Sequence, residues 1–242
     1  MNDPFARLPV VPSFTVTSTD VTDGLALPAA QMSGIFQVPG GKDLSPQLSW
    51  SGAPAETKSY TVTLYDPDEP SGSGFWHWAV ADIPASVTGL PTGAGDGTRQ
   101  RLPTRAFHLP NDARLARFIG AAPPPGDGRH RYVIVVQAIG IEKVGQLQVQ
   151  ADSTPAWLGH SINTGGHLLG RAVIAPWAEI PRLTPRLECD DLIVIVDADP
   201  KERHFRRSLL VGLGDRELAA EGDGEGDSPL CGRFTIVSRA SR

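Results

Sequence analysis

Three stretches of this 242-residue chain hold residue types that could do chemistry together. Asp66-Pro67-Asp68-Glu69-Pro70 puts three carboxylates in one loop directly after a strand-like run, and its two prolines bar a regular ladder or helix. In Phe75-Trp76-His77-Trp78-Ala79-Val80-Ala81, alternation places His77 with Ala79 and Ala81 on one face and Trp76, Trp78 and Val80 on the other. A histidine among such small neighbours can line a cavity. In Gly126-Asp127-Gly128-Arg129-His130-Arg131-Tyr132, His130 and Tyr132 are two apart and project to the same side of a strand. Just upstream, Gly120-Ala121-Ala122-Pro123-Pro124-Pro125 is small-residue backbone that lets a ligand approach the main-chain N–H groups of residues 120–122. His and Tyr donors, a backbone lip and one or two carboxylates suit a small anion, phosphate or carboxylate. Asp66 would then fix a histidine tautomer or accept from a ligand amine.

Other chemistries fit these residues less well. Asp66, Asp68, His77 and His130 are competent metal ligands, but compact H-x-x-x-H or C-x-x-C spacings are missing, so no metal, cofactor or metal-dependent hydrolase is expected. A carboxylate beside a histidine of ordinary pKa near about 6.5 could support acid–base catalysis. No nucleophile elbow or neighbouring serine accompanies it, and a non-enzyme is expected. His160, Asn163 and His167 stand at helical spacing and read as a solvated helix face or a dimer contact. His108, near Pro110, reads as surface. Trp50, Trp78, Trp157 and Trp177 read as core or interface, and Asp190, Asp191, Asp197 and Asp199 as solvated flanks of a strand.

The elements that must carry these groups are mostly strands. Residues 14–19 and 59–65 alternate apolar with small polar β-formers, 47–50 is a third short candidate, and 75–83 is aromatic and β-branched up to Pro84. Residues 131–141 form the most apolar run, expected as a central strand buried on both faces. Helix is placed only over 155–174, interrupted by Gly165-Gly166. With 26 Gly and 22 Pro, roughly a fifth of the chain against a usual share of about 12%, turns are frequent. The pattern predicts an all-β antiparallel β-sandwich with one or two short helices.

Charge divides the chain. Residues 1–178 carry 12 basic and 14 acidic residues, whereas the last 64 residues carry 10 and 13. A first domain over 1–178 and a charged, loosely ordered C-terminal extension over 179–242 are therefore expected. Within the extension, 192–196 reads as one strand, 221–227 as solvated, and Cys189 and Cys231 as free thiols. The formal net charge of −5 argues against nucleic acid as a partner. No apolar run approaches the roughly 20 residues of a membrane span. The N-terminus lacks signal-peptide features, so a cytoplasmic location is expected.

Asp66-Pro67-Asp68-Glu69-Pro70, Trp76-His77-Trp78, Asp82-Ile83-Pro84 and His130-Arg131-Tyr132, preceded by Gly120-Ala121-Ala122-Pro123-Pro124-Pro125, resemble the two signature regions of the phosphatidylethanolamine-binding protein family, in its bacterial Raf-kinase-inhibitor-like branch. The resemblance covers most of residues 12–178. It implies a two-sheet β-sandwich with an anion pocket lined by Asp66, Pro70, Trp76, His77, Gly120, Pro123, Pro124, His130 and Tyr132, with Asp68 stabilising the loop behind. It implies as partner a small anionic ligand or phospholipid headgroup. As an alternative it implies inhibition or modulation of a kinase or protease through protein contacts; homodimer formation stays open. The sequence departs from the family pattern at Glu69, where Ala is frequent, at Arg114, where Gly is usual, and around Gly159–Gly170. The family accounts for nothing in residues 180–242.

Overall fold

The computed structural model describes residues 4–182 with their side chains and, beyond them, the backbone strands at 193–197, 206–213, 216–221 and 236–237. The chain divides into two compact units, Met1–Arg182 and Leu183–Arg242.

The first unit is built on a five-stranded antiparallel sheet. Its central strand β3 (Ser59–Asp66) pairs on one side with β4 (Phe75–Pro84) and on the other with β8 (Val133–Ile139). β6 (Phe107–His108) and β9 (Leu168–Ile174) close the two edges. A smaller sheet of β1 (Thr15–Thr17), β2 (Leu48–Ser51) and β5 (Gly89–Leu90) faces it, and β7 (His130–Arg131) pairs with β10 (Trp177–Ala178). The apolar run expected at 131–141 is thus divided. Val133–Ile139 is buried throughout, while His130 and Arg131 turn to a different partner.

The alternation of β4 feeds two cores. Trp78 and Val80 join Val16, Leu48, Trp50, Tyr60, Val62, Leu64, Ile134 and Val136 between the sheets. Ala79 and Ala81 face the other way, where their small side chains let Leu158 and Ile162 of helix α1 (Pro155–Thr164) pack close to the sheet. The helix starts where Thr154 caps the Trp157 N–H with Pro155 in the first turn. It stops at Gly165-Gly166, the second glycine having φ +70°. The helix expected over 155–174 is therefore half the expected length. Residues 168–174 bury Gly170, Ala172 and Ile174 at every second position, and the edge of the large sheet takes them as β9.

His108, expected on the surface, is buried in β6, where its Nδ1 accepts from Trp78 Nε1 at 3.2 Å. Burial pushes its pKa down to about 4. Trp50 and Trp78 are core, whereas Trp157 is largely exposed and stacks on His160. Among the described residues no helix is long and apolar enough to cross a membrane.

In the second unit, β11 (Ile193–Asp197) pairs antiparallel with β12 (Arg206–Leu213) and parallel with β14 (Ile236–Val237). β12 also pairs with β13 (Arg216–Glu221). The single strand expected at 192–196 is thus one of four in a sheet of its own. Cys189, Cys231, Asp190, Asp191, Asp199 and the run 222–227 lie outside the described residues.

The loop at Asn111-Asp112-Ala113-Arg114 runs beside β4, with Asp112 Oδ2 accepting from the Trp76 N–H at 2.9 Å. Arg114 sits there at φ +63°, in the left-handed region. A side chain there costs about 1–2 kcal/mol, partly offset because glycine has more conformational freedom to lose on folding. Arg114→Gly should therefore raise stability by about 0.5–1 kcal/mol in urea unfolding, and a comparable loss would show that the Arg114 side chain itself holds the loop.

Candidate functional site

β3 ends on Asp66, and Pro67 prevents the ladder from continuing. The carboxylate is 1% exposed and turns back on its own loop. Oδ1 accepts from the N–H groups of Asp68 at 2.8 Å and Glu69 at 3.1 Å, and Oδ2 faces His130 Nδ1 at 2.9 Å. Two residues on, Asp68 grips Arg131 with both oxygens, at 2.6 and 2.7 Å, and accepts the Arg131 N–H at 2.9 Å. These hydrogen bonds hold the Asp68 carboxyl below its usual pKa. Successive residues of β7 thus bind alternate carboxylates of the loop after β3.

His130 is 2% exposed, and both its ring nitrogens meet carboxylates: Nδ1 meets Asp66, and Nε2 meets Asp127 Oδ2 at 3.1 Å. Glu69 Oε2 lies 3.9 Å from Nδ1. Burial alone would depress the pKa of His130, but the hydrogen bonds and charges of Asp66 and then Asp127 outweigh it and raise it. His77 is the opposite case. Its Nδ1 lies 3.0 Å from the Ile119 carbonyl, which can only accept, so this nitrogen carries the proton and a neutral ring presents Nε2 as an acceptor. Burial lowers the His77 pKa, only partly offset by the Ile119 carbonyl and Asp66.

His77 does not share the face of Ala79 and Ala81. The pairing of β3 with β4 slips between Leu64–Trp78 and Tyr65–Trp76, so His77 is the extra residue of a bulge. Its ring meets Tyr132 edge-on at 5.2 Å, and Tyr132 belongs to the core of Trp78 rather than that of Ala79. Phe75 packs against the same imidazole at 4.8 Å. Burial, with Asp66 and Glu69 nearby, pushes the Tyr132 pKa up, so its phenol stays neutral and gives its proton to Asp66.

Four of the residues singled out from sequence, Asp66, His77, His130 and Tyr132, therefore form one buried cluster. The backbone lip is different from the expectation. The Gly120 N–H donates to Asp43 Oδ1 at 2.8 Å and the Ala121 N–H to the Gln31 carbonyl at 3.1 Å, so neither is offered to a ligand. Gly120 is required because a Cβ would collide with the Met32 backbone. Pro123 and Pro124 stand at the base of the loop that carries Asp127. Pro70 and Trp76 line a cleft of about 930 Å³ on the outer face of the large sheet, whose lining includes Glu69 but none of the four clustered residues.

Two further residues shape the site. Asp43 ties Gly120 to the 33–35 turn, accepting also from Ser33 Oγ and from the Gly34 and Ile35 N–H groups. Asp127, three residues before His130 and flanked by glycines at φ +82° and +94°, carried the signal of a carboxylate on a turn beside a histidine. Asp66, Glu69 and His130 hold ligand atoms within 4.8 Å of one another, close enough to share a cation. Since His130 faces carboxylates with both nitrogens, it acts here as a proton-bearing donor, and a metal would have to displace that proton.

A family model for phosphatidylethanolamine-binding protein matches residues 17–176. The UPF0098 protein YbcL of Escherichia coli is 43% identical over 168 residues, 69% of this chain and 88% of that protein. The UPF0098 protein YbhB of the same organism is 38% identical over 148 residues, 60% of this chain and 89% of its own length. The crystal structure of E. coli YbcL, described as a new member of the mammalian PEBP family, superposes with a TM-score of 0.65, covering 69% of this chain and 99% of that one. With the sandwich, the Asp66 loop and the His77, His130 and Tyr132 cluster in place, the chain belongs to the phosphatidylethanolamine-binding protein family.

Proposed function

We propose that the first unit is a non-catalytic binding module for a small molecule bearing a phosphate or carboxylate. The observation that carries this reading is the carboxylate of Asp127 on His130 Nε2 at 3.1 Å, the position a ligand oxyanion would take on an imidazolium. Asp127 is exposed on a glycine-flanked turn, so it can yield that position, while the Asp66 side of the ring is fixed by burial. His77 Nε2 adds an acceptor, and Tyr132, its phenol directed at Asp66, walls the cluster. Asp66, Glu69 and Asp127 surround these groups, which favours a ligand that carries an ammonium as well as the oxyanion.

Phosphoethanolamine added to the full-length protein should move the imidazole NMR signals of His77 and His130 and bind more tightly than inorganic phosphate. Asp127→Ala should tighten binding several-fold and His130→Ala should abolish it. Unmoved imidazole signals would end this reading.

Charge states give a second prediction. The raised pKa of His130 means its pairing contributes stability in full below the unfolded histidine value of about 6.5, and that stability is lost as pH rises through the folded value. The lowered pKa of His77 acts in the opposite sense, its contribution being present above about 6.5 and lost as pH falls toward its folded value. An NMR titration should therefore find His130 titrating above the ordinary histidine range and His77 below it. The reverse order would contradict the protonation states assigned to the site.

A further inference from the structure

The cleft of about 930 Å³ on the outer face of the large sheet has a chemistry of its own, independent of the proposed anion pocket. Its size matches sites that take drug-sized ligands, roughly 300–1,000 Å³. The floor follows from strand alternation: Thr63 and Tyr65 on β3 lie opposite Val135 and Val133 on β8, and Gln137 lies opposite Arg171 on β9. One wall is the side of helix α1 that carries Gly159 and Asn163, Leu158 and Ile162 being buried in the core instead. The third side is the N-terminal segment with Phe5 and Leu8.

Polar atoms gather at one end of this space. Gln137 is 6% exposed; its Oε1 accepts from Thr61, while its Nε2 has no hydrogen-bond partner among the described residues. The hydroxyl of Thr63, 7% exposed, likewise has none. Asn163 Oδ1 is buried without a partner, although its Nδ2 donates to the Gly159 carbonyl at 2.7 Å. Arg171 brings positive charge to the same end and lies over the Phe5 ring at 5.0 Å. The opposite end, past Val135 and Val133, is walled by Tyr65 and Trp76, whose ring centroids lie 4.4 Å apart with the planes tilted by 35°. From Gln137 to Val133 the strand runs about 13 Å at 3.3 Å per residue. Gln137 Nε2, the Thr63 hydroxyl and Arg171 supply donors at this end beside the Asn163 Oδ1 acceptor, and an apolar body of that length continues from them.

We infer that this cleft is a second binding site, and that its occupant is a small amphipathic carboxylate, with the carboxylate against Gln137 and Thr63 beside Arg171 and the apolar chain lying over Val135 and Val133 toward Trp76. An unpartnered amide and hydroxyl, each more than nine-tenths buried, match an acceptor headgroup, and the neighbouring guanidinium matches its charge.

The test uses decanoate, below its micelle concentration, with the full-length protein. Decanoate should shift the Gln137 side-chain amide and the Trp76 indole in NMR spectra and leave His77 and His130 unmoved. Decanol should bind at least tenfold more weakly. A Cβ at Gly159 meets nothing within 4 Å, so Gly159→Leu directs a side chain into the cleft from an unhindered Cβ and also improves helix propensity. It should stay folded and lose binding at least tenfold. Gln137→Glu keeps the acceptor for Thr61 but replaces the amide donor with a negative charge, and should lose binding to a similar degree. Absence of shifts at Gln137 and Trp76, equal binding of decanol, or unchanged binding by Gly159→Leu would each overturn the proposal. So would a second copy of the chain covering this face in solution, seen by ultracentrifugation.

Discussion

The carboxylate of Asp66 organises the site because it is buried at the one point where β3, its own following loop and β7 meet. Removing a carboxylate from water costs several kcal/mol unless it is fully paired, and here two backbone N–H groups and an imidazole do the pairing. Loss of the His130 partner would leave that charge uncompensated, a destabilisation of about 3–5 kcal/mol. Asp66, with Asp127 on the other ring nitrogen, favours the protonated form of His130, and burial together with Asp66 keeps Tyr132 neutral. Asp68 on Arg131 repeats the clamp beside it and keeps the loop from swinging away.

The second constraint is the irregularity of β4. A regular strand would have sent His77 toward the helix, where Ala79 and Ala81 pack under Leu158 and Ile162. The bulge turns it toward Tyr132, and the loop at 111–117 secures it from the other edge, Asn111 Nδ2 donating to the Arg117 carbonyl at 3.0 Å and the Asp112 N–H to the Trp76 carbonyl at 3.2 Å. Asp43 performs a comparable task for Gly120, so the Ile119 carbonyl that fixes the His77 tautomer sits on restrained backbone. The result is one imidazole kept neutral and one kept charged within a few residues of the same core. On the proposed reading, that difference in protonation lets one site accept from and donate to a ligand at once.

The strands with strict alternation or continuous apolar character, β3, β4 and β8, were legible from the residues because burial on a sheet face imposes that period. Residue type and spacing also brought out Asp66, His77, His130 and Tyr132. What local pattern missed depends on tertiary pairing. A bulge is invisible to a period-two count, which therefore places His77 on the wrong face. Residues 168–174 follow a helix and contain two leucines, which drew them into a helical reading, yet Gly170, Ala172 and Ile174 show the alternation of an edge strand. The N–H groups of Gly120 and Ala121 looked available because small residues permit close approach, and the chain itself makes that approach through Asp43 and Gln31. His108 looked exposed beside a proline, and only the pairing of β6 with β4 reveals its burial against Trp78.

On the proposed reading, a ligand oxyanion takes the position on His130 Nε2 that Asp127 occupies. A crystal structure of the protein grown with phosphoethanolamine distinguishes the two occupants of that position. Phosphate density on His130 Nε2 is expected, with Asp127 turned away and the Asp66–His130 contact intact. Asp127 still seated on His130, with the ligand bound elsewhere or not at all, would contradict it.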